Sequence, residues 1–196
     1  MRQRSRSPKI RKAVFLTSLI GIGASVCPVT AVAVPQGEAN APSSPKLVLT
    51  QEKDGTASLI AHLINSGSQP LILNLGMMLA NGRQQFADRI RLQLTRPDKT
   101  VLHLHLRDPG TIMGRMDPMI IPLPSNATYS LQLDLIQYCA PKEHVWKLDL
   151  PPGSYTARAE YTGGIPQRTA LDTQSLSLLR YWSGTIRSDA LSFSVR

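Results

Sequence analysis

Cysteine is nearly missing from this chain: Cys27 and Cys139 are the only two in 196 residues. A disulfide-stapled scaffold and a zinc site built from cysteine pairs are therefore excluded. Aromatic residues amount to 5%, so Trp146, Trp182 and Tyr181 have two competing uses, a recognition patch or plugs at the ends of a core. No phosphate-cradling glycine loop, HExxH run or nucleophile elbow occurs, which removes the usual sequence warrants for an enzyme. Beyond Lys46 no apolar repeat of 3.6 residues is sustained, which argues against a helical body. What is present is an ordinary globular composition, 42% apolar and 18% charged, enough for one domain with a real core and unlike a disordered or collagenous chain.

The formal charge of +9 suggests a nucleic-acid or membrane binder until it is mapped. Arg2, Arg4, Arg6, Lys9, Arg11 and Lys12 account for six of the 22 basic residues, and no acid occurs before Glu38, leaving 16 basic against 13 acidic residues in the remainder. That remainder interleaves both signs, without the basic stripe of a nucleic-acid footprint. The leader has the order of a secretory signal: a basic start, an apolar run over 13–26, then the small-residue triplet Ala31-Val32-Ala33. Residues 1–33 are expected to be a signal peptide cleaved after Ala33. Lipidation at Cys27 and retention of the segment as a membrane anchor are the alternatives, since about 20 uncharged residues suffice to span. Each reading places the body outside the cytoplasm, secreted or periplasmic. Cys139 is then the only thiol left after cleavage, and its neighbours Leu133, Leu135 and Tyr138 point to a buried, inert side chain at a strand end.

Residues 34–45, VPQGEANAPSSP, read as a flexible linker. The folded domain is expected over 46–196. Short apolar runs recur there between turn signals, the pattern of an all-β sandwich. Strands are expected at 46–50, 57–65, 71–80, 90–95, 101–106, 130–138, 154–161 and 190–195, about eight in all, with 175–181 as strand or helical turn. The securest pairing is the hairpin of 90–95 with 101–106 across Arg96-Pro97-Asp98-Lys99. Residues 108–118 and 163–173 read as irregular connections, the places where such scaffolds carry function.

The run Leu150-Pro151-Pro152-Gly153-Ser154-Tyr155-Thr156-Ala157 resembles the entry to the penultimate strand of an immunoglobulin-like sandwich. In that fold a tyrosine hydroxyl bonds back to upstream backbone. With Leu63-Ile64-Asn65-Ser66-Gly67, Leu94 to Val101, and Leu123 to Tyr129, the order of features is similar to bacterial secreted Ig-like modules, including those related to the intracellular proteinase inhibitor family. The resemblance covers roughly residues 57–161 and implies a single Ig-like antiparallel sandwich. It implies a structural duty for Tyr155 and, as one alternative role, a proteinase-inhibitor-like module, although no segment matches a protease-binding loop.

The chemical candidates are few. His103 and His105, two apart on one strand, present both imidazoles on one face, and Met113, Met116 and Met119 follow at three-residue spacing. Imidazole with soft thioethers outside the cytoplasm points to copper(I). The ten residues between His105 and Met116 resemble the first half of the ligand motif of periplasmic copper(I) chaperones. The second half is missing, since His144 is followed by Val145 and Trp146. Cys139, His144 and Asp149 form a thiol triad on paper but lack an oxyanion turn. The expected function is a non-enzymatic binding or structural module with an unknown protein or cell-envelope component as partner, no nucleic acid, and membrane contact only if the leader is kept. The alternative is a copper(I) carrier using His103, His105, Met113, Met116 and Met119; otherwise no cofactor is expected.

Overall fold

A computed structural model of the chain describes residues 44–108, 110, 114–167 and 171–196. The expected signal peptide, Cys27, most of the linker and Met113 lie outside the described residues. The described part is an all-β antiparallel sandwich. Its strands are β1 (Lys46–Gln51), β2 (Ser58–Ile64), β3 (Leu71–Leu79), β4 (Gln85–Phe86), β5 (Ile90–Thr95) and β6 (Val101–Leu106). They continue as β7 (Met116–Leu123), β8 (Thr128–Asp134), β9 (Tyr138–Cys139), β10 (Gly153–Gly163), β11 (Gly184–Arg187) and β12 (Leu191–Val195). The helical residues described are short 3-10 segments at Leu135–Gln137, Pro141–Glu143 and Leu171–Leu178; the last makes 175–178 a helical turn, while 179–181 lies outside any regular element.

Alternation explains the layers. Leu59, Ala61 and Leu63 of β2 are fully buried, as are Ile90 and Leu94 of β5 and Leu104 of β6, while Arg91, Gln93 and His103 between them face solvent. Tyr155, Ala157, Ala159 and Tyr161 give β10 the same one-sided burial, and all these side chains belong to one core. Each buried leucine contributes roughly 1.5–3 kcal/mol through the apolar surface it removes from water. Three sheets carry the strands, in the orders β1-β2-β8, β4-β3-β7 and β11-β10-β5-β6-β9 with β12 also on β10.

Two of these sheets are one bent ribbon. Segment 58–79 runs antiparallel to segment 116–134 along its whole length, pairing Ile64 with Thr128 before a corner and Leu71 with Leu123 after it. Asn65 holds the corner and is itself fully buried. Its Nδ2 donates to the carbonyls of Gln69, Leu123 and Pro124 at 2.8, 3.1 and 3.0 Å. Its Oδ1 accepts from the Gly67 N–H at 3.0 Å, and its own N–H donates to the Ala127 carbonyl at 2.9 Å. These bonds give the carbonyls of Gln69, Leu123 and Pro124 and the Gly67 N–H partners where the two segments turn together.

The 108–118 connection expected as irregular ends sooner than the sequence suggests, because β7 begins at Met116. Pro118 and Pro122 hide it: proline lacks a ladder donor and argues against a strand, but β7 is an edge with β3 as its single partner, where proline is tolerated. The strand expected over 130–138 is broken as well. Asp134 accepts from the Ile136 N–H and caps a 3-10 turn. The chain crosses there from β8 on one sheet to β9, which pairs with β6 on another. The Tyr155 hydroxyl donates to the Pro151 carbonyl at 2.6 Å, the backward bond that the immunoglobulin-like resemblance implies.

Candidate functional site

The outward face of the six-stranded sheet gathers charge that is dispersed in the sequence. Leu92 and Leu94 point β5 into the core, so Arg91 and Gln93 point out; Leu102 and Leu104 do the same for His103 and His105 on β6, and Ala157 and Ala159 for Arg158 and Glu160 on β10. Pairing register then sets them in rows. Arg187, Glu160 and Arg91 lie opposite one another across β11, β10 and β5, and Arg158, Gln93 and His103 across β10, β5 and β6. Lys142 joins from the 3-10 turn after β9. Together these residues line a cavity of about 460 Å³, within the range of small-ligand sites.

Charges in this cavity are unevenly matched. Arg187 pairs with Glu160 at 2.7 Å, and His103 Nδ1 lies 2.8 Å from Glu143 Oε1. Glu143 also accepts from the His103 backbone N–H at 3.3 Å. The His103 hydrogen bond holds the Glu143 carboxyl below the usual carboxylate range. The second oxygen, Glu143 Oε2, is buried and so does not face the solvent of the groove. No ion pair or side-chain hydrogen bond engages Arg91, Arg158 or Lys142 among the described residues. The charges of Arg91 and Lys142 are felt at His105, whose pKa lies below the ordinary histidine range. Desolvation is the largest cause, followed by the positive charges of Arg91 and Lys142, with Glu143 opposing them.

The expected copper ligands that are described fall on two sheets. His103 and His105 share the outward face of β6, whereas Met116 and Met119 lie on β7 in a different sheet. Met119 is 1% exposed and packs in the core, and Met113 lies outside the described residues. No group of three or more His, Cys, Asp or Glu side chains is placed to hold a metal among the described residues. Of the imagined thiol triad, Cys139 is buried opposite His105, while His144 and Asp149 are exposed; His144 occupies the left-handed position that closes the turn after Pro141–Glu143.

Two further groupings were not visible in sequence. His62 bridges Thr50 Oγ1 at 2.9 Å and Ser130 Oγ at 2.8 Å, a cross-strand ladder over β1, β2 and β8 with no carboxylate behind the imidazole. Among the aromatics, Trp182 stacks on Tyr161 with ring centroids 5.7 Å apart, whereas Trp146 is 65% exposed. Trp182 thus packs against the core, the second of the two expected uses. No family model matches the chain, and comparison with curated proteins returns no match.

Proposed function

We propose that this chain is a non-catalytic, extracytoplasmic β-sandwich module that binds an anionic cell-envelope component or partner protein on the outward face of β5, β6 and β10. The observation that carries this reading is the cavity over that face, where Arg91, Arg158, Arg187 and Lys142 outnumber the single lining carboxylate, Glu160, and the first two and Lys142 make no ion pair among the described residues. The rigid sheet beneath fixes their spacing, which is how binding groups are preorganised at low entropic cost. Export rests on the basic start, apolar run and Ala31-Val32-Ala33 triplet of the leader. No helix among the described residues is long and apolar enough to cross a membrane. The copper(I) alternative gains no support from a Met119 thioether committed to the core.

A photo-crosslinking residue tests the reading when placed at Gln93, in the middle of the face, and at Thr128, exposed on β8, in the full chain expressed with its leader. Intact-mass adducts at position 93 in the extracytoplasmic fraction, and none at 128, are expected. Adducts at both positions alike, or at neither, overturn the assignment of the face.

A further inference from the structure

The basic cavity narrows the chemistry of what it takes. Arg91 lies opposite Glu160, and Arg158 is two residues earlier on the same face of β10, so the two arginines occupy diagonal positions across one strand pair. Diagonal neighbours on one face of a sheet lie about 7–8 Å apart, within reach of long side chains, and two like charges at that separation repel each other. Lys142, lining the same cavity, adds a third unneutralised cation. Glu160, the carboxylate that lines the cavity, is already engaged by Arg187, and Glu143, next to Lys142 in the chain, by His103.

A single carboxylate ligand would neutralise one of these three cations and leave two in mutual repulsion. A compact group with two negative charges and several acceptor oxygens matches them better, because the planar guanidinium fork pairs with two oxygens at once. Resting on the binding face proposed above, we infer that this cavity is a phosphate-group site, taking a phosphomonoester through Arg91 and Arg158 with Lys142 as a flanking point charge. The same repulsion makes these arginines a liability in the empty protein.

Calorimetric titration of the full chain with inorganic phosphate tests the inference, with acetate at matched ionic strength as control, for the native sequence and for Arg91→Gln, Arg158→Gln and the double variant. Saturable phosphate binding is expected, weakened on the order of tenfold or more by either change, with melting temperature unchanged or raised. A response to acetate equal to that for phosphate, or phosphate binding untouched in the double variant, overturns it. Neither outcome touches the crosslinking result at Gln93, so failure of the ligand class and failure of the binding face are read separately. A second arm compares phosphatidylcholine vesicles with and without phosphatidic acid. Retention on the latter alone, lost in the double variant, assigns the phosphate to a lipid headgroup, and indifference to both with intact phosphate binding assigns it to a soluble ester.

Discussion

Asn65 shows how much structure one side chain can settle. Its amide serves three carbonyls and its oxygen one N–H at a corner where two chains turn together. Asn65→Ala strands several of these buried partners, each at a desolvation cost of about 1–3 kcal/mol. A loss of roughly 3 kcal/mol or more is therefore expected in urea denaturation, with an unchanged slope if the folded state keeps its compactness. His105 gives the pH dependence at this scale. Its folded pKa is depressed by burial and by Arg91 and Lys142, so in the window just below about 6.5 the unfolded chain binds the proton that the folded chain refuses. Stability is thus full above that window and falls as the pH is lowered through it. Urea midpoints measured across this range should show the decline, and His105→Gln should flatten it.

At the scale of the element, the sequence disclosed the strands whose burial alternates and concealed those placed by context. The β5–β6 hairpin was legible because Ile90, Leu92 and Leu94 alternate with polar residues and the 96–99 turn is rich in turn formers. The left-handed backbone at Lys99 and the Asp98 side chain accepting from Thr100 N–H at 2.9 Å complete it. β7 was concealed because its prolines are tolerable only at an edge, a fact of partners rather than of composition. The break between β8 and β9 was concealed because Asp134 reads equally as an outward strand residue and as a cap. The basic cavity escaped for the same reason: residues 91, 142, 158 and 187 meet through register, and in sequence they read as a scattered, solvated surface. Gly76 marks a bulge in β3, where φ is +136° and the pairing with β7 shifts. A Cβ there would collide with the Phe86 carbonyl and the Asp88 carboxylate. Gly76→Ala is expected to cost about 3 kcal/mol or more through strain and overlap, seen as a lower thermal midpoint, with Gly82→Ala, which meets no neighbour, far milder.

At the largest scale the described residues form one antiparallel β-sandwich, and the leader is proposed to export it. If the leader is read correctly, the protein recovered from the extracytoplasmic fraction begins at Val34, and N-terminal sequencing reports VPQGE. A chain starting at a lipid-modified Cys27, or one kept whole in the membrane, would select the corresponding alternative. The sandwich itself explains why charge is affordable on one face: the core under β5, β6 and β10 is closed by Leu92, Leu94, Leu104 and Ala159, so three cations can share the surface above without opening it. A bound anion would relieve their repulsion, which links architecture to the proposed role.

The imidazole of His105 reports on that relief directly. Its proton titration, followed by NMR in the full chain with and without inorganic phosphate, should give a pKa below the ordinary histidine value in the free protein and a rise once phosphate screens Arg91 and Lys142. A value at or above the ordinary one in the free protein, unmoved by phosphate, would contradict the claim that this face is an unneutralised anion site.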